Sequence, residues 1–145
     1  MKALKVVVAF VLAASASCLA ASPAQAQASA PSFDLIAMDG ATLLAKGVAF
    51  SVKITYVCAD VDFSDGSVYA QQRVQSAQIA HGNTYFSTTC DGTVHVEDVM
   101  VTSIDIPFKR GEALVSASVG GCGTDPETQQ QICGGDGLTQ VMRIR

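Results

Sequence analysis

The stretch VAFSVKITYVC, residues 48–58, alternates with a period of two. Val48, Phe50, Val52, Ile54, Tyr56 and Cys58 fall on one face, and Ala49, Ser51, Lys53, Thr55 and Val57 on the other. Only an extended strand with one face buried sorts side chains in this way, because a helix would repeat every 3.6 residues. Cys58 therefore points into a core.

The same period recurs on both sides of this stretch. Thr84–Cys90 places Phe86, Thr88 and Cys90 on one face. Phe33–Leu44, interrupted by Gly40, and the Gln-rich, half-exposed Ser67–Ile79 read as strands at or near a sheet edge. Thr93–Ile104 alternates through Val94 and Val96, then changes phase to Val99 and Val101, and the change at Glu97-Asp98 predicts a β-bulge. Glu112–Val119 turns Ala113, Val115, Ala117 and Val119 inward, and Leu138–Arg145 sets Met142 and Ile144 against Arg143 and Arg145. Turns are expected at Asp65-Gly66, His81-Gly82-Asn83, Asp91-Gly92 and Lys109-Arg110-Gly111, while Gly120–Gly137 has the composition of a loop. About seven short antiparallel strands predict an all-β domain, a two-sheet immunoglobulin-like sandwich. The chain has no Trp, so the core Trp that packs on a disulfide in antibody domains is missing.

Upstream, MKALK, VVVAFVLAASA and a small-residue stretch ending in SPAQAQASA form the basic, apolar and cleavage regions of an export signal over residues 1–28. Cleavage after Ala26 or after Ala28 satisfies the small-x-small rule equally, leaving one domain over residues 29–145. The apolar run Val6–Ala14 is too short for a membrane-spanning helix, which needs about 20 residues. Lipidation at Cys18 is disfavoured because Ser15 stands where a bulky aliphatic residue is usual. Loss of the signal leaves seven basic against thirteen acidic residues, moving the net charge from −4 to −6. An acidic surface without a basic patch excludes nucleic acid and, once the signal is gone, membranes as partners.

Cys58, Cys90, Cys122 and Cys133 remain, an even number in an exported chain, and predict two disulfides. Three pairings are possible. Cys122 and Cys133 bracket one turn-rich segment, which favours 122–133 and leaves 58–90, in agreement with the inward faces of Cys58 and Cys90. A zinc site is disfavoured by the absence of any Cys-x-x-Cys pair and of histidine at ligand spacing.

Three stretches, ITYVC (54–58), TTCDGTVHVEDV (88–99) and FKRGEALVSA (108–117), together resemble a family of small secreted, mainly actinobacterial, immunoglobulin-like proteins of unknown function. The likeness covers about half of the mature chain. It implies the sandwich, export and the 58–90 disulfide, and supplies no catalytic residue; the 122–133 segment has no counterpart in it.

Candidate sites are few. Asp60, Asp62 and Asp65 could offer carboxylates to calcium, but an EF-hand loop started at Asp60 places Ser64, Asp65 and Gln71 at its positions 5, 6 and 12 and fails there. An acidic solvated turn is the simpler reading. His95 and Glu97 share a strand face without the Pro-Cys-x-x-Cys of zinc deaminases and read as an exposed cross-strand polar pair. His81 reads as a turn residue, and no Gly-x-Ser-x-Gly elbow is present. The segment GCGTDPETQQQICGGDG, with Thr124, Asp125, Pro126, Glu127 and Gln130 at its centre, reads as a disulfide-closed binding loop or as a stapled hairpin. Carbohydrate stacking has only Tyr56, Tyr69 and Tyr85 to draw on, with Tyr56 facing inward. The expected function is that of a secreted, non-enzymatic binding module for an extracellular protein or small ligand, with no cofactor and no metal. The alternative is an extracellular protease inhibitor acting through the 122–133 loop, and a hydrolase with an unrecognised site is third.

Overall fold

Alternation along the chain becomes seven strands in the computed structural model, which describes residues 30–145. The export signal, both cleavage positions and Cys18 lie outside the described residues. The strands are β1 (Ser32–Leu44), β2 (Ala49–Ala59), β3 (Phe63–Gln75), β4 (Gln78–Ser87), β5 (Val94–Ser103), β6 (Gly111–Thr124) and β7 (Gln131–Ile144), with a 3-10 turn at Ala45–Gly47. Their order is β1-β2-β5-β4-β3-β6-β7 and every neighbouring pair is antiparallel.

The ladder is not uniform. β4 and β5 meet at only two residue pairs, Gly82 with Ser103 and Asn83 with Thr102, so the sheet parts there into a three-stranded layer, β1-β2-β5, and a four-stranded layer, β4-β3-β6-β7. This is an immunoglobulin-like sandwich in which the fourth strand lies beside the third. At the other side the layers nearly close. The Leu43 amide donates to the Arg145 carbonyl at 2.9 Å and the Arg145 amide to the Ala41 carbonyl at 3.0 Å. Side chains of β7 continue this seam: the Asp136 carboxylate accepts the Leu35 amide at 2.8 Å, and the Gln140 amide donates to the Met38 carbonyl at 2.6 Å.

Between the layers lie Phe50, Val52, Ile54 and Tyr56 from β2, all completely buried, with Val99 and Val101 from β5 and the small Ala70, Ala80, Ala113 and Ala117 from the other layer. Val48, expected inward, is exposed, because β2 begins one residue later, beyond the 3-10 turn. Phe108, in the connection from β5 to β6, stands edge-on to Phe50 with ring centres 5.0 Å apart. Both expected disulfides are present, Cys58–Cys90 and Cys122–Cys133, and suit a non-reducing environment. No helix among the described residues is long and apolar enough to cross a membrane.

Several sequence expectations are corrected. β5 has no bulge: its register with β2 runs unbroken from Val94 to Thr102, so His95 and Glu97 take the inward positions while Val94 and Val96 are exposed. Register shifts fall instead in β1, around Ile36 and Gly40, and near the end of β3. Ser67–Ile79 is not an edge strand; β3 lies between β4 and β6, and the chain reverses at Ser76-Ala77. Asp65-Gly66 and His81-Gly82-Asn83 are strand residues rather than turns. Their glycines answer to packing, since a Cβ at Gly66 would collide with the Phe86 ring and one at Gly82 would lie 2.8 Å from the Phe108 ring. Gly120–Gly137 is no long loop, because β6 and β7 run through it with Cys122 directly opposite Cys133.

Candidate functional site on the outer face of the four-stranded layer

Because Ala113, Val115, Ala117 and Val119 face the core, the residues between them face out, and the pairing of the four strands sets these in rows. One row reads Val141, Leu114, Gln71, His81; the next Thr139, Ser116, Tyr69, Asn83; the next Gly137, Ser118, Ser67, Tyr85; and the last Gly135, Gly120, Asp65, Ser87. Asp65 is the acidic side chain in these rows, and beyond Val141, Leu114 and Gln71 the same face continues into the charged Arg143, Glu112 and Arg73. Hydroxyls and amides hold one another: Ser67 and Ser118 Oγ are 2.9 Å apart, Ser116 Oγ and Thr139 Oγ1 2.8 Å. The Tyr69 hydroxyl lies 3.0 Å from His81 Nδ1 and accepts the Gln71 side-chain amide at 2.6 Å.

Glycines shape this surface. A Cβ at Gly135 would come within 2.8 Å of the Val119 carbonyl oxygen, and one at Gly120 within 3.1 Å of that of Gly134, so close pairing of β6 with β7 requires bare backbone. The bare backbone forms part of an open depression of about 440 Å³, bordered by Tyr85, Asp65, Ser67 and Ser118. Tyr85 is 74% exposed. Toward the opposite end of β3, a second depression of about 300 Å³ is bordered by Ile79, Leu114 and Val141, by the polar Gln71 and by the charged Arg73 and Glu112.

The hairpin tip is built differently. The Asp125 carboxylate accepts the Glu127 amide at 2.8 Å and the Thr128 amide at 3.3 Å, and these hydrogen bonds, led by Glu127, hold its acidity above that of an ordinary Asp. The Gln129 amide donates to the Asp125 carbonyl at 2.8 Å, closing a helical turn, and the Asp125 amide donates to the Gln130 carbonyl at 2.9 Å. Thr124 donates to the Asp62 carboxylate at 2.7 Å. Thr124, Asp125, Pro126, Glu127 and Gln130 are thus brought together, on a projection whose polar groups largely satisfy one another.

No family model, curated protein or solved structure matches the chain. The site rests on its own geometry.

The remaining sequence candidates are dispersed. Asp60 occupies a positive-φ turn position, Asp62 serves Thr124, and Asp65 stands on the outer face of β3; among the described residues no three metal-ligating side chains converge. His95 is not part of an exposed pair with Glu97. Its ring stacks on Tyr56 with centres 5.7 Å apart, and its Nε2 lies 2.8 Å from the Asp91 carboxylate. Thr93 also approaches that nitrogen, at 3.3 Å, while donating to Asp91 at 2.7 Å. Resemblance to a nucleophile-base-acid relay ends there, since carboxylate and hydroxyl converge on one ring nitrogen, whereas a relay needs one on each. Asp91 is instead a turn cap, and the Thr93 hydroxyl, then His95 and the Thr93 amide, hold its carboxyl well below the usual range. His81 lies within β4, facing outward beside Tyr69.

Sequence reading missed Tyr85, Ser67 and Ser118 as neighbours. The usable signal was the outward half of the same period-two pattern, but joining its rows requires the register between strands.

Proposed function

We propose that the domain is a secreted, non-enzymatic binding module whose ligand lies on the outer face of β4-β3-β6-β7. The observation that carries this reading is the depression beside Tyr85: an exposed aromatic ring, a floor of bare backbone, bordering hydroxyls and the Asp65 carboxylate on one face. Exposed aromatics with polar tips are favoured where a surface meets a partner. Two disulfides support an extracellular setting. The resemblance to small secreted immunoglobulin-like proteins accords with that setting.

A protease inhibitor acting through the 122–133 hairpin would offer an extended segment to a protease cleft. The turn at Asp125–Gln129 folds back on itself, so the outer face is the better candidate. The test is retention of components of the surrounding culture fluid by the immobilised, disulfide-bonded protein. We expect the same component to be retained when 124–130 is replaced by Gly-Ser, and lost when Tyr85→Ala is combined with Ser118→Arg. Retention abolished only by the tip replacement, with inhibition of a protease by the unaltered protein, would overturn this assignment.

A further inference from the structure

We propose that this outer face binds an extended, neutral polysaccharide, with the Tyr85 ring stacked on a sugar ring above the glycine floor. The inference rests on the binding-module reading and names the class of ligand. Sugars combine an apolar ring face, carried by C–H groups, with a rim of hydroxyls that each donate and accept. A matching surface therefore needs an accessible aromatic plane and hydrogen-bonding groups of both kinds.

The outer face supplies these together. Tyr85 is 74% exposed and borders the depression that also contains Asp65, Ser67 and Ser118. The Asp65 carboxylate accepts from sugar hydroxyls, and the Ser67 and Ser118 hydroxyls, already 2.9 Å apart, can donate as well as accept. Gly120, Gly135 and Gly137 place no side chain between a ligand and the backbone.

One row farther along β3, the Tyr69 ring lies 6.3 Å from that of His81, tilted by 32°, and the Tyr69 hydroxyl is anchored by hydrogen bonds to His81 and Gln71. Tyr69, itself 40% exposed, is thus a second aromatic side chain on this face. Beyond it Leu114 and Val141 border the other depression. From Ser67 to Gln71 the strand advances about 13 Å, at its usual rise per residue, which is longer than one sugar ring. An extended chain laid along β3 therefore meets Tyr85, then Tyr69, then a mixed patch in which Leu114 and Val141 lie beside Arg73 and Glu112. An anionic polymer is opposed by Asp65 beside Tyr85 and by the net charge, −4 for the whole chain and −6 once the signal is gone.

The experiment measures retention of the disulfide-bonded protein by insoluble cellulose, chitin, xylan and mannan, followed by calorimetric titration with soluble oligosaccharides of any polymer that retains it. Tyr85→Ala is expected to weaken binding about tenfold or more, corresponding to the loss of one stacking contact. Tyr85→Phe keeps the ring and is expected to stay within about threefold. Both variants should melt with the parent protein, since Tyr85 is exposed, so lost binding is separable from lost folding. Unchanged affinity in Tyr85→Ala would overturn this site while leaving a binding module. Retention on none of the four polymers would overturn the ligand class, and the culture-fluid experiment then decides the broader reading separately.

Discussion

Tyr56 connects three parts of the molecule through one side chain. It is fully buried on β2, its ring packs against Phe86 and His95, and its hydroxyl accepts the Thr89 amide at 3.0 Å. That hydrogen bond fixes the backbone one residue before Cys90, which reaches back to Cys58. Tyr56→Phe keeps the ring and leaves the Thr89 amide without its partner, at a cost of about 1–3 kcal/mol. Urea denaturation should show this as a lower midpoint with an unchanged slope; an unchanged midpoint would mean that water replaces the hydroxyl fully. The disulfides divide similarly between core and surface. Closing the longer loop stabilises by about 3.5 kcal/mol and the shorter by about 3 kcal/mol in the chain-entropy model. Cys58 is buried in the core, whereas Cys133 lies exposed on the hairpin. The Cys58→Ala/Cys90→Ala pair should therefore lower Tm by roughly 10 °C, and by more than Cys122→Ala/Cys133→Ala, in thermal scans without reductant. Equal losses, or a larger loss from the hairpin pair, would contradict this ordering.

Elements differ in how far their own residues specify them. β2 was legible because its inward positions are large and its outward ones are mostly small or polar. β6 and the end of β7 were legible from alternation alone, Ala113, Val115, Ala117 and Val119 interleaving with Ser116 and Ser118, and Met142 and Ile144 with Arg143 and Arg145. β5 was not, because Val94 and Val96 suggested an inward face that the register with β2 assigns to His95 and Glu97; Tyr56, beneath His95, supplies the contact that makes a polar inward residue tolerable. The outer-face site was hidden for a related reason, since its rows join residues far apart in sequence. Glycines misled as well: those of β3 and β4 suggested turns, yet they make room for Phe86 and Phe108. The connection from β5 to β6 shows how a polar side chain can complete an element. Gln72, buried within β3, donates its amide to the Lys109 carbonyl at 2.7 Å and accepts the Lys109 amide at 2.7 Å, acting as a short length of strand. Gln72→Met fills similar volume but leaves both Lys109 groups unpaired, so a loss of about 2–4 kcal/mol is expected by denaturant titration. Amide exchange at Lys109 should speed up more than exchange in β2. Uniform acceleration would indicate that the connection is held by Phe108 alone.

At the scale of the molecule, four aspartates tie loops and layers together through hydrogen bonds that only an ionised carboxylate makes well. Asp91 caps the turn before β5, Asp105 accepts the Ile106 amide, Asp125 orders the hairpin tip, and Asp136 holds Leu35 across the seam between β7 and β1. All four titrate below the ordinary range: Thr93 is the leading cause for Asp91, the Ile106 amide for Asp105, the Glu127 amide for Asp125 and the Leu35 amide for Asp136. A lowered folded-state pKa means that the unfolded chain binds more protons over the interval between the two values. Stability therefore rises with pH there. The contribution is complete above the unfolded value, about 3.9 for Asp, and is lost as pH falls through the folded values. Asp91, Asp105 and Asp136 are solvent-exposed and Asp125 is half-buried at the surface, so screening limits each effect. Melting curves between pH 7 and pH 2 should be nearly level down to about pH 4 and then decline. Asp136→Ala should lower stability at neutral pH and reduce the acid decline, because one of the protonations that drives it is gone. Amide exchange would place the defect at Leu35 and its neighbours in β1, where the two layers meet without a full ladder. An acid decline as steep in Asp136→Ala as in the parent protein would show that closure of the layers depends on the backbone bonds of Leu43 and Arg145 and not on the carboxylate.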